Sequence, residues 1–197
     1  MKPTSAAALA CHPETSTEAV HGIQARVCWT PEGALALTYV LTGDFTRLRV
    51  PPPGAPRRAD RLWEHTCFEA FVSVNDKPAY YEFNFSPSGK WAAYSFRSYR
   101  DGGAAAAQEL EPAITARALG DALELDAIIH LDRLPELHAA ALRLALAAVI
   151  EEADGSISYW ALKHPPGKPD FHHLDGFALA IAQPDSKRVH ASTLAKR

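Results

Sequence analysis

Apolar and polar side chains alternate with a period of two along most of this chain, and such alternation is typical of β-strands that bury one face. Residues 35–41, LALTYVL, show it clearly, and the turn residues TPEG join them to an earlier alternating segment over about Val20–Trp29. This pair predicts a hairpin. About nine to eleven such segments with at most one short helix predict an all-β, single-domain antiparallel β-sandwich.

Three segments in the middle of the chain are expected to form an antiparallel meander: Thr66–Val74, Ala79–Phe85 and Lys90–Arg97. Their connections, NDKP and SPSG, consist of turn residues. The preceding run VPPPGAPRRADR favours an exposed loop, because proline removes backbone donors. Further on we expect a hairpin over Ile114–Leu119 and Ala122–Leu131, a short turn or helix over Leu134–Ala140, a strand over Leu142–Glu151, a hairpin into ISYWAL and a last strand over Phe177–Ile181.

Length and composition limit the classes to which the chain can belong. Its 197 residues, 47% of them hydrophobic, suffice for one well-buried domain, which we place at residues 19–182 between a flexible segment, 1–18, and a C-terminal tail, 183–197. With a net charge of −3 and no basic run among aromatic residues, nucleic acid is not an expected partner. No segment reaches the ~18 apolar residues of a membrane span, so no membrane association is expected.

The cysteines favour a cytoplasmic location. Cys11, Cys28 and Cys67 are odd in number and form no CxxC motif, so neither a disulfide framework nor a zinc site is indicated. The N-terminus resembles a lipoprotein signal only weakly. Its apolar segment, Ala6–Ala10, is shorter than the roughly 7–15 residues of a signal's hydrophobic region.

The meander is expected to present two different faces, because alternate side chains of a strand point to opposite sides of the sheet. We assign the more apolar set to the core: Phe68, Ala70, Val72, Val74, Tyr81, Phe83, Phe85, Ala92, Tyr94 and Phe96. The opposite face then carries Cys67, Glu69, Phe71, Tyr80, Glu82, Asn84, Trp91, Ala93, Ser95 and Arg97. Polar groups among aromatic rings suit a sugar, which stacks its C–H face on a ring and hydrogen-bonds through its hydroxyls. A solvated sheet face with amphipathic aromatics is the simpler alternative.

Three segments carry a resemblance to a known family: LWEHTCFEAFV, YYEFNFSPSGKWAAYSF and VIEEADGSISYWALKHPPGKPDFHH. They resemble the DOMON-like superfamily, and within it the family 9 carbohydrate-binding modules and their uncharacterised bacterial relatives. The resemblance implies a β-sandwich in which Trp63 and Trp160 clamp a terminal sugar. It also implies that Glu69, Glu82 and Asn84 bond the sugar hydroxyls. The acidic calcium loops that such modules often carry are not evident, so no metal is expected there.

The histidine-rich loop from His164 to His173 lies outside the sugar-binding pattern. Its imidazoles and Asp170 could ligate a metal, but adjacent His172 and His173 in an extended segment point in opposite directions. We therefore expect a Pro-rich loop that packs Phe171 and caps the sandwich.

Two enzyme or cofactor functions fit the sequence less well. Other members of the superfamily bind haem through a methionine and a histidine, and Met1 is the only methionine here. Glu69 and Glu82 could form a glycosidase pair, but such catalysis needs a water-excluding cleft, and no segment reads as a lid. No cofactor is expected.

Taken together, these features predict a non-catalytic protein that binds a small polar ligand, a sugar or glycan fragment. The expected ligand-binding residues are Trp63, Glu69, Glu82, Asn84, Trp91, Arg97 and Trp160. The alternative is an accessory module whose aromatic face binds another protein. A concave face with facing indoles would favour the sugar, and a flat face would favour the protein partner.

Overall fold

The computed structural model describes residues 5–74, 77–106, 110–134, 137 and 141–182. These described residues form 13 β-strands and no α-helix. The strands, in chain order, are β1 (Ser5–Cys11), β2 (Val20–Trp29), β3 (Leu35–Gly43), β4 (Arg57–Arg58), β5 (Cys67–Val74), β6 (Tyr80–Phe85), β7 (Lys90–Ser98), β8 (Asp101–Ala105), β9 (Ala113–Leu119), β10 (Ala122–Ile129), β11 (Leu142–Glu151), β12 (Ile157–Ala161) and β13 (Leu179–Ile181). Short 3-10 turns cover Pro13–Thr15, Leu62–Glu64, Leu131–Arg133 and Leu174–Gly176. The all-β prediction is confirmed.

The strands form one continuous curled sheet in the order β4-β7-β6-β5-β11-β12-β1-β2-β3-β10-β9, with β8 beside β7 and β13 beside β11. Strand β1 joins the two halves, since Ser5–Leu9 pair with β2 whereas Ala10 and Cys11 pair with β12. The sheet is mixed, because β4 runs parallel to β7. We expected two separate antiparallel sheets, and the structure has one curled mixed sheet instead.

The main core lies where the two halves of the curled sheet face each other. Tyr39 of β3 donates a 2.8 Å hydrogen bond to the carbonyl oxygen of Glu69 on β5, and its ring lies 5.1 Å from that of Phe68. Large side chains of both halves fill the space between them, among them Leu35, Leu37, Leu41, Phe83, Phe85, Trp91, Leu125 and Trp160. Each fully buried side chain of this size contributes about 1.5–3 kcal/mol of hydrophobic stabilisation.

Most of the predicted strand pairs are present. Strands β2 and β3 form a hairpin, β5, β6 and β7 form the expected meander, and β9 pairs with β10 as β11 does with β12. The last strand is shorter than expected and covers Leu179–Ile181. Most of the turn expected over 134–140, and the tail 183–197, lie outside the described residues.

The N-terminal segment contributes a strand to the sheet. Ser5–Cys11 form β1, which is hydrogen-bonded on both sides. All three cysteines carry free thiols. Within the part of the chain that the structure describes, no helix is long and apolar enough to span a membrane.

In β7, the third strand of the meander, the side chains predicted to face the core lie on the opposite face. Phe85 pairs with Trp91 and Phe83 pairs with Ala93, so the side chains of Trp91 and Ala93 join the core. Tyr94 and Phe96, which were expected in the core, lie on the opposite face. Each of the two alternating sets of β7 contains large aromatic residues, Trp91 in one and Tyr94 and Phe96 in the other. The alternation pattern alone therefore did not identify the core-facing set, and the register to β6 decides it.

Candidate functional site

A cavity of about 400 Å³ opens on the face of the meander that points away from the main core. Its walls come from the 3-10 turn before β5, from strands β5 to β8, from β11 and β12, and from the histidine-rich loop. The lining residues are Trp63, Glu69, Glu82, Tyr94, Phe96, Arg100, Gly103, Val149, Tyr159, Pro169, Phe171 and His172. The surface is therefore concave, as a small-ligand site requires.

Strand register brings the polar side chains of the cavity together. Glu69 of β5 lies directly opposite Asn84 of β6, and Glu82 of β6 lies opposite Tyr94 of β7. Side chains opposite each other on one face of a sheet are neighbours at about 5 Å. Two carboxyl groups, an amide and a phenol therefore share one small area of the meander.

Glu69 is the most deeply buried ionisable side chain of the cavity. It is 3% exposed, and its Oε1 has no hydrogen-bond partner in the part of the chain that the structure describes. Burial, and then the charge of Glu82, raise the pKa of Glu69 well above its ordinary value of 4.5. At neutral pH this favours the protonated acid, which can both donate and accept a hydrogen bond.

Glu82 lies in a more polar environment than Glu69. Its Oε1 accepts a 2.7 Å hydrogen bond from Nδ2 of Asn84, which is itself fully buried. Burial raises the pKa of Glu82, while the hydrogen bond from Asn84 and the charge of Arg100 act in the opposite direction. The environments of the two carboxyl groups thus differ, because Asn84 and Arg100 favour the charged form of Glu82, whereas Oε1 of Glu69 lacks a partner among the described residues.

His172 connects the loop to the meander through a chain of hydrogen bonds. The backbone N–H of Arg100 donates to the hydroxyl of Tyr80 at 3.2 Å, and this hydroxyl lies 2.8 Å from Nδ1 of His172. If Tyr80 donates, the proton of His172 is on Nε2, which lies 3.6 Å from Oε2 of Glu82. Burial, followed by the charge of Arg100, lowers the pKa of His172 to about 4, so its ring is neutral at pH 7.

Arg100 is held in an unusual backbone conformation beside the cavity. Its φ is 52°, in the left-handed region that non-glycine residues rarely adopt. The guanidinium donates a 2.8 Å hydrogen bond to Asp170, which also accepts from the hydroxyl of Tyr99. These contacts join the β7–β8 turn to the histidine-rich loop, so the two segments form one wall.

The rim of the cavity is aromatic. Trp63 is 40% exposed, and its indole contacts the ring of Tyr94 edge to face at 5.9 Å. Tyr94 is fixed in turn, because its hydroxyl donates to Asp60 at 2.7 Å and Arg58 holds both oxygens of that carboxylate. An exposed indole fixed in this way can stack on the apolar face of a ligand.

Three of the residues expected to bind the ligand line the cavity, namely Trp63, Glu69 and Glu82. Asn84 lies behind them and orients Glu82. The remaining three, Trp91, Arg97 and Trp160, do not line it.

Each of these three has a physical reason for lying elsewhere. Trp91 is 1% exposed and lies in the main core, because it pairs with Phe85, whose side chain faces the core. Arg97 is exposed and forms a 2.8 Å ion pair with Asp101. Trp160 pairs with Ala148 of β11, whose side chain faces the core, so the indole packs there and donates to Oγ of Ser158 at 3.0 Å.

The structure adds cavity residues that the sequence did not indicate. Tyr159 lines the cavity in place of its neighbour Trp160, since adjacent residues of a strand face opposite ways. Arg100, Phe171 and His172 come from loops, where no periodicity predicts the direction of a side chain. The sequence did indicate that His172 and His173 point in opposite directions. His172 faces the cavity, whereas His173 caps the turn Leu174–Gly176.

The histidine-rich loop is held by hydrogen bonds to the N-terminal strand and its following turn. Nε2 of His164 lies 2.8 Å from the carbonyl oxygen of Ala10, and Nε2 of His12 lies 2.9 Å from that of Gly167. Within the described ranges, no group of three or more His, Cys, Asp or Glu side chains could hold a metal ion. The contact of His164 gives this residue a structural role, because it ties the loop to the N-terminal strand.

No protein-family model matches the chain, and no curated protein matches its sequence. Solved structures of similar fold include the following two. A proposed carbohydrate-binding protein from Bacteroides uniformis ATCC 8492 is 16% identical, with a TM-score of 0.63 over 87% of this chain and 83% of that one. A family 9 carbohydrate-binding module from Caldicellulosiruptor kristjanssonii, solved with cellotriose, is 13% identical, with a TM-score of 0.51 over 83% of this chain and 75% of that one. The chain therefore shares its fold with proteins named for carbohydrate binding.

Proposed function

We propose that this protein binds a sugar or glycan fragment, without catalysing its reaction, in the cavity lined by Trp63, Glu69 and Glu82. The observation that carries this proposal is the unpartnered Oε1 of Glu69 at a buried position in the cavity. A buried polar atom without a partner costs about 1–3 kcal/mol, and a ligand hydroxyl would remove that cost. A protonated Glu69 can donate to a hydroxyl oxygen, while Glu82 can accept from another hydroxyl.

The shape of the cavity supports a sugar better than a protein partner. Its volume of about 400 Å³ is that of a small-molecule site, and its surface is concave rather than flat. Trp63 and Tyr94 supply ring faces and edges for the C–H face of a pyranose. The resemblance implied two facing indoles, whereas here one indole is combined with Tyr159 and Phe171.

The fold similarity supports the same ligand class. The family 9 module of similar fold was solved with cellotriose, which makes β-linked glucose a reasonable first ligand. We further propose that the chain is a DOMON-like protein built as one domain, residues 19–182 together with β1, because β1 closes the seam between the two halves of the sheet. Its three free thiols support a cytoplasmic location.

A second candidate function is glycoside hydrolysis by Glu69 and Glu82. The observation in its favour is that both carboxyl groups line one cavity and have different environments, as an acid and its partner require. Against it, burial raises the pKa of both groups, whereas the reaction needs one of them ionised. Incubation with aryl glycosides distinguishes binding from hydrolysis. Hydrolysis would be established if the wild type releases the aryl group and Glu69→Gln does not.

The proposed binding function is tested by thermal unfolding against a panel of mono- and oligosaccharides at millimolar concentration. A ligand that binds only the native state raises its stability by RT ln(1 + [L]/Kd). We expect one sugar to raise Tm in the wild type and to lose most of that effect in Trp63→Ala and Glu69→Gln. Arg97→Gln, on an exposed side chain outside the cavity, is the matched control and keeps the full shift. No shift across the panel would contradict the proposal.

A further inference from the structure

A second cavity, of about 350 Å³, lies on the other side of the 3-10 turn Leu62–Glu64. Leu62 and the following His65 line this second cavity, whereas Trp63 lines the first. Its other walls are the proline-rich loop before β4 and the turn between β6 and β7. The two cavities are therefore separate sites on either side of one short turn.

Two positive side chains line the second cavity next to each other. Arg57 of β4 and Lys90 of β7 are register partners in the parallel pair of strands, and both contribute to the wall. Like charges opposite each other on neighbouring strands are destabilising. Among the described residues, neither side chain has an ion pair or hydrogen bond, and no acidic residue lines this cavity. Arg57 is exposed and Lys90 is half-buried, so water screens part of the repulsion, and no carboxylate among the described residues of the wall offsets the rest.

The turn between β6 and β7 adds a neutral donor. The hydroxyls of Ser86 and Ser88 lie 2.8 Å apart, and both residues are buried. Oγ of Ser86 also accepts from the N–H of Ser88, and Oγ of Ser88 accepts from the N–H of Lys90. Only one of the two hydroxyl protons can be used between the pair, so the other is available to a ligand in either arrangement.

One carboxylate contacts the wall, and its charge is already compensated. Nδ1 of His65 lies 2.7 Å from Oε2 of Glu151, and Arg49 donates to Oε1 of the same carboxylate at 2.6 Å. Glu151 therefore offers no counter-charge to Arg57 and Lys90 across the cavity.

We propose that the second cavity binds a small oxyanion, a phosphate or sulfate group, between Arg57 and Lys90 with a hydroxyl of the Ser86–Ser88 pair as an additional donor. Such a group presents several acceptor oxygens, which suit a guanidinium, an ammonium and a hydroxyl at once. Its negative charge would replace the repulsion between the two cations by attraction to both. This site is independent of the sugar site, and its failure would leave that proposal unaffected.

The test is titration calorimetry with inorganic phosphate at constant ionic strength, with chloride as the reference anion. We expect one saturable site in the wild type, with affinity at least tenfold lower in Arg57→Gln and in Lys90→Gln. Arg26→Gln removes a positive charge from β2, outside this cavity, and is expected to bind as the wild type does. Circular dichroism and Tm check that each variant is folded.

A second titration, with glycerol 3-phosphate, determines whether the site binds a free phosphate ion or a phosphate group carried by a larger molecule. At least tenfold tighter binding than inorganic phosphate would assign the site to a phosphate carried by a larger molecule, and equal affinity would assign it to the free ion. The proposal is overturned if neither compound binds saturably, or if both glutamine variants bind them as tightly as the wild type.

Discussion

Glu69 and Glu82 lie on neighbouring strands and line one cavity, yet Asn84 donates a hydrogen bond to Oε1 of Glu82 whereas Oε1 of Glu69 has no partner among the described residues. A carboxyl group buried without a donor is held in its neutral form, and one with a donor keeps part of its acidity. This difference gives the cavity a hydrogen-bond donor and an acceptor of the same residue type.

Glu69→Gln should stabilise the protein increasingly as the pH rises. Because the pKa of Glu69 is higher in the folded than in the unfolded state, the folded state binds more protons, and stability declines as pH rises from about 4.5 towards the folded pKa. Glutamine mimics the neutral acid and does not titrate, so the variant lacks this decline. The free energy of unfolding of the variant should therefore exceed that of the wild type by up to about 1.4 kcal/mol more for each pH unit. Urea unfolding at pH 5, 6, 7 and 8 measures the difference. Glu18→Gln, on an exposed side chain, is the control.

His172→Gln should protect the protein against mild acid. The folded pKa of about 4 lies below the ordinary value of 6.5, so stability is fully present above pH 6.5 and is lost as pH falls towards 4. A lowering of the pKa from 6.5 to about 4 corresponds to a loss of roughly 3 kcal/mol in the free energy of unfolding. The variant has no imidazole at this position and should not show this loss. The stabilities of wild type, His172→Gln and the exposed control His21→Gln are compared at pH 7 and pH 4.5. Equal losses in all three would refute the buried, neutral state of His172.

Two tryptophans of the meander region should separate stability from binding. Trp91→Ala removes a fully buried indole from the main core and should cost about 3–5 kcal/mol. Trp63→Ala removes a half-exposed indole at the rim and should cost less than about 1.5 kcal/mol while abolishing the sugar-dependent rise in Tm. Denaturant unfolding and the sugar panel provide both readouts. The reverse pattern would mean that the face assignment of β7 is wrong.

Tyr39→Phe should weaken the contact between the two halves of the sheet. The substitution removes the donor of the 2.8 Å hydrogen bond to the Glu69 carbonyl oxygen and leaves the ring in the core. We expect a loss of about 1–2 kcal/mol in the free energy of unfolding. Tyr159→Phe, at the cavity wall, is the matched control for stability. If both variants unfold at the same denaturant concentration as the wild type, the contact between the halves is not stabilising.

The sequence predicts the strands well and the directions of their side chains only in part. In β5 and β6 one face is clearly more apolar, so Glu69, Glu82 and Asn84 were placed correctly away from the main core. In β7 each face carries a large aromatic residue, and the assignment of Trp91 was wrong. Only the register between β6 and β7, which depends on the turn that joins them, decides which side chains of such a strand face the core.

The cavity itself could not be predicted from strand patterns, because much of its wall is loop. Arg100, Pro169, Phe171 and His172 lie far apart in sequence from Glu69, and tertiary contacts such as the one between Arg100 and Asp170 bring them to it. The role of β1 was also missed. Its alanine-rich sequence has little alternation, and its place in the sheet comes from pairing with β2 and β12.

The most direct test of the sugar site is a map of backbone amide chemical shifts by NMR during titration with the sugar that raises Tm, beginning with cellotriose. We predict saturable shifts at Glu82, Phe96, Arg100 and His172, which surround the cavity, and their loss in Trp63→Ala. Shifts confined to β2, β3, β9 and β10, or no shifts with any sugar in the panel, would contradict the account.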